Sequence, residues 1–421
     1  MLKKGFSTGS VSAAVIKASI RYYFEPEKFD SIEIKMPGNE NADIKISRLG
    51  KRKIKRKMVV SNAAAVKDSG SDGSDVTGGI KICAGFTVIG RGKTAALKKY
   101  YGNLSVYSII KNSQFTLMLA SSKGVGIVSR PGLPVKPGRP SINPVPLKMI
   151  ELAASEELHR AIKKYYGDWN KAGASALKHK IFASVLYIPK GEEVAKKTLN
   201  PRLGIVGGIS ILGTTGYVVP ISTKAWLETI KASLAFLAEN KIDTCVYTPG
   251  RYSEKIAMKF FKALPRESFI EIGDYVSYSI RKAVKSGIKK IILAGQFGKI
   301  IKIAQGARNT NAKYGGVNFN FLGKIIEKSF KNLKAAGSAL ENIPEERKEY
   351  LRNAVINSNT SRQAYGYIIA DEFETARGVI FDNILKAALK NLNGTDEETA
   401  KAVNIRIILI SSDGEIIRSS G

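Results

Sequence analysis

The sequence predicts an α+β N-terminal domain, 1–220, followed by an α/β three-layer, Rossmann-like domain with a mainly parallel sheet, 221–421. Three observations carry this. After 222, short apolar runs alternate strictly with amphipathic helical stretches, and a glycine stands at the end of each of the first three runs, the grammar of a doubly wound sheet. Before 220 that alternation is missing, and strand-like segments, a Pro-rich segment and glycine loops take its place. Between the two lies a stretch with no charge from Arg202 to Lys224, in a chain that is 24% charged.

The elements follow in order. GFSTGS at 5–10 opens onto an Ala-rich helix that runs to about 22. Its exposed amides are a candidate anion site, while capping alone also explains Ser7 and Thr8. Segments 31–36 and 43–48 alternate like strands. The basic run 51–57, KRKIKRK, resembles a nucleic-acid patch but sits between strand-like segments, so a solvated hairpin is the better account. Asp68, Asp72 and Asp75 fall in a Gly/Ser loop that hints at calcium but lacks the Asp-x-Asp-x-Asp ladder and its terminal Glu. Residues 121–150 hold six prolines and four glycines, a stiff extended segment that carries Arg130, Lys136, Arg139, Asn143 and Lys148. A helix over 146–165 and a strand over 181–188 follow.

The uncharged stretch is long enough to span a membrane, but its five glycines make a poor helix, and no membrane segment is expected. It reads as a buried seam of strand, glycine turn and strand, or as a ligand cradle in which Gly207-Gly208 and Gly213-Thr214-Thr215-Gly216 expose backbone amides. It matches neither the dinucleotide fingerprint nor the phosphate loop. Next come a helix at 223–239, a strand at Thr244–Thr248 ending in Pro249-Gly250, and a helix at 252–263. A strand at 269–272 ends in Gly273-Asp274 and leads to a helix at 275–286. A strand at 290–294 ends in Gly295-Gln296-Phe297-Gly298, and another helix starts there. A helical stretch over 318–357 and strands at 365–370 and 404–411 complete the sheet.

Composition narrows the function. The formal charge of +31 admits nucleic acid, acidic lipid or a polyanionic small molecule as partner, but the lysines are scattered rather than clustered, which disfavours nucleic acid. Cys83 and Cys245 with two histidines give neither a disulfide framework nor a metal-ligand cluster. Met1-Leu2-Lys3-Lys4 leads directly into the glycine loop without an apolar core, so a cytoplasmic location is expected. From motifs alone, a nucleotide-binding, small-molecule kinase-like enzyme is the competing reading, with the loop at 5–10 and the aspartate loop holding phosphate and magnesium.

Six stretches, in order, resemble the CbiD family of cobalt-precorrin-5B C-1 methyltransferases. They are GFSTGS at 5–10, KDSGSDGSDVT at 67–77, GVGIVSRPGLPVKPGRPSINPVP at 124–146, GEEVAKKTLNPRLGIVGGISILGTTG at 191–216, TPGR at 248–251 and GQFGKIIKIAQG at 295–306. The chain departs from the family in three places. Gln296 and Asn311 stand where members often carry His, and the aspartate loop is one residue longer, so no imidazole is obligatory at either position. The resemblance implies methyl transfer from S-adenosylmethionine to C-1 of a cobalt corrinoid, giving cobalt-precorrin-6A, with cobalt present only within the substrate and no metal site in the protein. It implies a corrinoid as the partner, no nucleic acid, and is compatible with a homo-oligomer.

The enzyme need mainly hold both reactants in line and exclude water, and no catalytic side chain is singled out. S-adenosylmethionine is expected at the C-terminal ends of the parallel strands, facing the glycine seam, near Thr214, Thr215, Thr248, Gly250, Gly273, Asp274, Gly295, Gln296 and Gly298. Asp274 is the expected ribose ligand, with Glu271 in reserve, and helix capping is the alternative role for Asp274. The substrate carboxylates and polar edges are expected at Ser7, Thr8, Asp68, Arg130, Arg139, Asn143, Asn200 and Arg202.

Overall fold

The structure, a computed structural model of the chain, describes residues 3–55, 58–73, 75–90, 94–112, 114–166, 180–218, 223–335, 343–394 and 403–420. Two compact units result, Met1–Ser222 and Thr223–Gly421.

The first unit is built on a six-stranded sheet. Its strands are β1 (Arg48–Lys55), β2 (Met58–Val66), β3 (Lys81–Gly90), β4 (Ser105–Lys111), β5 (Thr116–Ser121) and β6 (Lys180–Tyr187). Their order is β1-β2-β3-β6-β5-β4, antiparallel throughout except between β5 and β6. Residues 51–55 of the basic run are therefore a hairpin arm, as expected, and 56–57 lie outside the described residues.

Helices α1 (Thr8–Phe24) and α3 (Pro144–Tyr166) belong to the core on one sheet face, where Val11, Val15 and Leu158 join Ala63, Ala84, Phe86 and Phe182. The small residues of α1 let it lie close to the sheet, and the Ser61 hydroxyl donates to the Ser19 carbonyl at 2.6 Å. Arg21 of α1 makes a two-pronged bond to the buried Glu157 of α3, at 3.1 and 2.9 Å. The opposite face is covered over part of its area by α2 (Thr94–Tyr101), whose Leu97 packs with Met58, Ile89 and Met118.

The uncharged stretch is a seam. Gly208–Ile209 pairs in parallel with Gly124–Val125, Ile205–Val206 pairs antiparallel with Ile127–Val128, and Tyr217–Val218 pairs antiparallel with Gly5–Phe6. The backbones touch. Gly124 has φ +81°, and a Cβ there would stand 1.9 Å from the Ile188 carbonyl oxygen, so only glycine fits. Residues 219–222 lie outside the described residues.

The second unit carries a five-stranded sheet of β7 (Thr244–Thr248), β8 (Phe269–Glu271), β9 (Lys290–Gln296), β10 (Asn404–Ile410) and β11 (Ile416–Ser419). Its order is β8-β7-β9-β10-β11, with parallel pairing everywhere except between β10 and β11. The parallel ladder among 244–248, 269–272 and 290–294 that the alternation predicted is present. Helix α4 (Thr223–Glu239) leads into it; α5 (Arg251–Phe260), α6 (Val276–Lys285) and α7 (Phe297–Ala304) follow β7, β8 and β9. Val246, Phe269, Ala294 and Ile408 pack with Ala257 of α5. The next residue of β7, Tyr247, points the other way and donates its hydroxyl to the Ser279 carbonyl of α6 at 2.8 Å.

The helical stretch at 318–357 resolves into α8 (Phe319–Ala335) and α9 (Glu345–Ile356), with 336–342 outside the described residues. The strand predicted at 365–370 is wrong. Residues 365–369 lie in helix α10 (Ser361–Ile369), because Thr360 caps the first turn through the Gln363 amide and Ala364 and Ile368, four apart, form its buried stripe. Helix α11 (Glu374–Asn393) precedes β10, and β11 was not anticipated. Among the described residues no helix is long and apolar enough to cross a membrane.

Candidate functional site

In the second unit, the C-terminal ends of β7 and β9 lie side by side and each leads into a helix. Neither α5 nor α7 has a side-chain cap, so their first amides are left for another acceptor. Gly250 stands at the N-cap of α5 with extended backbone, φ −176°, which any residue adopts. A Cβ there would find no atom nearer than Glu271 Oε1 at 3.9 Å. Neither the backbone nor packing demands glycine at this point, and its effect is to leave open space between the helix start and the Glu271 carboxylate. Thr248, one of the predicted contacts, is fully buried beneath that turn, and its hydroxyl has no hydrogen-bond partner among the described residues. A cavity of ≈ 350 Å³ opens at the start of α7, lined by Gln296, Gly298, Lys302, Arg362 and Tyr365 among others, and this is within the range of small-molecule sites.

Asp274 departs from the capping expectation. It does not cap α6, whose N-cap is Tyr275 and lacks a side-chain bond. Its carboxylate accepts from Lys299, from the Thr310 hydroxyl at 2.7 Å and from the Asn311 amide at 3.0 Å. Burial alone would raise its pKa, but these donors outweigh burial and hold the carboxyl below its usual range. The Arg308 carbonyl accepts from Ser277 and the Asp274 carbonyl from Thr310, so segment 308–311 closes the start of α6. The Asp274 carboxylate is engaged as the tie for that segment. Gly273 is explained by its turn, φ +57°, and by Trp226, 3.2 Å from where a Cβ would stand. Gly298 lies against Ser361 and Gly295 against Ile300 and Pro249.

In the first unit the predicted substrate residues mostly build the seam. Ser7 is 5% exposed and its side chain caps α1 by accepting from the Ser10 amide, while its own amide donates to the Gly216 carbonyl. The Thr8 hydroxyl accepts from the Leu212 amide at 2.7 Å, and the Gly9 amide donates to the Leu212 carbonyl. The amides of Phe6, Ser7, Gly9 and Ser10 are engaged within the protein, and Ser7 and Thr8 hold structural bonds there. Asn200 is buried, donating to the Gly208 carbonyl at 3.0 Å and accepting from Ser210 at 3.1 Å; it too is structural. Asp68 bonds Lys3 at 2.6 Å and the Gly70 amide at 2.8 Å. Asn143 lies between Ile211, which accepts from its amide, and Leu147, which donates to its carbonyl. Arg139 donates to the Tyr107 carbonyl at 2.7 Å, Arg130 and Lys148 are exposed, and Arg202 is half-buried. Thr214 and Thr215 are exposed on the turn after Gly213, where Thr215 bonds locally to Tyr217.

The aspartate loop is also internal. Asp75 accepts from the buried Lys67, from Ser69 at 2.8 Å, and from the Thr77 amide and hydroxyl at 2.9 and 2.6 Å. Among the described residues no cluster of His, Cys, Asp and Glu suits a metal ion.

What sequence reasoning missed is a cavity of ≈ 920 Å³ on the part of the six-stranded sheet that α2 leaves open, lined by Arg48, Lys51, Arg52, Lys81, Lys190, Cys83, Tyr100 and Tyr187 among others. Arg48, Ala64, Cys83 and Tyr187 form one row across β1, β2, β3 and β6. Burial raises the Cys83 thiol and pushes the Tyr187 phenol up to about 12, so both are neutral at pH 7.

Comparison with known proteins places these features in a family. Residues 1–220 match CbiD. A cobalt-precorrin-5B C(1)-methyltransferase of Picrophilus torridus is 36% identical over 325 residues, 77% of this chain and 82% of that one. Its counterpart in Geobacillus kaustophilus is 35% identical over 328 residues, 78% of this chain and 76% of its own. The crystal structure of a cobalamin biosynthesis protein from Archaeoglobus fulgidus aligns with 74% of this chain and 83% of its own length, at 23% identity and a TM-score of 0.32.

Proposed function

The chain belongs to the CbiD family, and we propose that it methylates C-1 of cobalt-precorrin-5B to give cobalt-precorrin-6A in cobalamin biosynthesis. The observation that carries this is the 36% identity to a relative of that name across 77% of the chain. The compact units are read as two domains, the second Rossmann-like, because its parallel order β8-β7-β9-β10 reverses direction between β7 and β9 as doubly wound sheets do at their ligand crevice. We read the enzyme as cytoplasmic.

S-adenosylmethionine supplies a methyl group already activated on sulfonium, and the electron-rich macrocycle carbon takes it. The residues fit this donor at the ends of β7 and β9. Gly250 leaves the room, the uncapped starts of α5 and α7 present amides to a carboxylate, and Glu271 stands at the end of the second strand, where doubly wound folds grip a ribose diol. Thr248 offers a buried hydroxyl at the same turn. Glu271 thus takes the role first given to Asp274. The kinase-like reading loses its support, since the loop at 5–10 and the aspartate loop spend their donors and acceptors internally.

The test uses the full chain. S-adenosylhomocysteine is expected to raise its melting midpoint and ATP with magnesium is not, and S-adenosylhomocysteine should form only when cobalt-precorrin-5B and S-adenosylmethionine are both present. Stabilisation by ATP with magnesium alone would return the kinase-like reading.

A further inference from the structure

We propose that the ≈ 920 Å³ cavity on the open half of the six-stranded sheet binds the carboxylate-bearing tetrapyrrole, with Arg48, Arg52, Lys81 and Lys190 at its rim. The assignment rests on the methyltransferase reading for the identity of the ligand, but on the cavity itself for its place. It replaces the Pro-rich segment as the main site of charge complementarity.

The floor is shallow because its side chains are small, namely Gly50, Ala64 and Cys83 on neighbouring strands in or beside one row. Such a floor is flat enough for a planar ring system, and Tyr100 and Tyr187 add aromatic wall. The charged side chains of the lining are all cations. Among the described residues no Asp or Glu lines the cavity, and none of Arg48, Arg52, Lys81 and Lys190 forms an ion pair. Lys51 is set apart, lying over the rings of Tyr22 and Tyr23 at 5.9 and 5.6 Å.

The spacing of the cations decides the class of ligand. Arg48 and Arg52 are four residues apart on one strand, about 13 Å at 3.3–3.4 Å per residue. Arg48 on β1 and Lys190 just past β6 are separated by three strand spacings, about 14 Å at 4.8 Å each. A single phosphate or carboxylate draws cations to one point, whereas these stand around a field of roughly macrocycle breadth. That pattern suits a ring whose acidic side chains radiate from its edge.

The probes are cobyrinic acid, a corrinoid whose side chains are carboxylates, and cobinamide, in which they are amides, both titrated calorimetrically into the full chain. Cobyrinic acid is expected to bind at least about tenfold more tightly than cobinamide, and less tightly as salt rises. Arg48→Gln and Arg52→Gln should each weaken it roughly tenfold, the loss of one charge-assisted bond, and Lys81→Gln serves as a third, independent variant. Lys98→Gln, exposed on α2 outside the cavity, should leave affinity unchanged. The rim side chains are exposed, so melting midpoints should hold. Wild-type affinity for cobyrinic acid in the Arg48→Gln/Arg52→Gln variant would overturn the assignment. So would equal affinity for the two corrinoids, or binding of a single-stranded oligonucleotide in place of cobyrinic acid. Binding of S-adenosylhomocysteine is read in parallel: its retention in the variants leaves the methyltransferase reading intact whichever way the cavity test falls, and its absence from the wild type counts against that reading instead.

Discussion

Asp75→Asn is the most informative single change in the first unit, because it separates a structural aspartate loop from a cation site. Lys67 is 2% exposed and Asp75 15%, and the ammonium has the Asp75 carboxylate as its counter-charge. Burial opposes ionisation of Asp75, yet bonds from Lys67 and Thr77 bring its carboxyl from 3.8 down to about 2. At about 1.4 kcal/mol per pH unit, that depression is worth roughly 2 kcal/mol at neutral pH. The folded-state value is lowered, so the contribution is complete above about pH 4 and is lost as pH falls from there towards 2. Asparagine keeps the shape and much of the hydrogen bonding but strands a buried ammonium, which costs about 3–5 kcal/mol. Urea unfolding followed by circular dichroism should show that loss at pH 7, and a much smaller difference between variant and wild type at pH 2. Lys67→Met combined with Asp75→Asn should recover most of the stability, since no charge is then left buried. A loss below about 1 kcal/mol for Asp75→Asn, or stabilisation of the wild type by millimolar calcium, would refute the structural reading.

Three further outcomes are expected. Glu271→Gln should lower affinity for S-adenosylhomocysteine about tenfold by calorimetry, while Asp274→Asn should leave that affinity alone and cost about 1–3 kcal/mol of stability by releasing Thr310, Asn311 and Lys299; the reverse pattern would restore Asp274 as the ribose ligand. Gly250→Ala should fold within about 0.5 kcal/mol of wild type, since its backbone is extended and a Cβ has room, yet bind S-adenosylhomocysteine more weakly. Gly124→Ala should lose about 4 kcal/mol or more, detectable as rapid limited proteolysis, because its Cβ would collide with the Ile188 carbonyl at a left-handed φ; wild-type resistance would show that the seam can relax.

Local patterning made the second unit legible. Its strands and amphipathic helices alternate over short distances, and the glycine turns mark the strand ends at which we propose that the donor binds. The exception at 365–370 arose because YGYII reads equally as an apolar strand, and only the Thr360 cap and the Ala364–Ile368 stripe reveal a helix. Long-range partners were not legible. Asp274 looked like a cap or a ribose ligand until Thr310, 36 residues away, was seen to donate to it. The Thr8 hydroxyl and the Ser7 and Gly9 amides looked available until the 205–218 seam was seen to engage them. The basic cavity was invisible for the same reason. Arg48, Lys81 and Lys190 belong to separate segments, and only the sheet register places them around one floor.

The reaction is tested most directly by placing the transferred methyl group on the macrocycle. The full chain would be incubated with cobalt-precorrin-5B and S-adenosylmethionine labelled with carbon-13 in the methyl group, and the corrinoid product examined by nuclear magnetic resonance. One label per macrocycle at C-1, with S-adenosylhomocysteine in equal amount, is the expected result. Label at another ring carbon, or S-adenosylhomocysteine formed without labelled corrinoid, would contradict it.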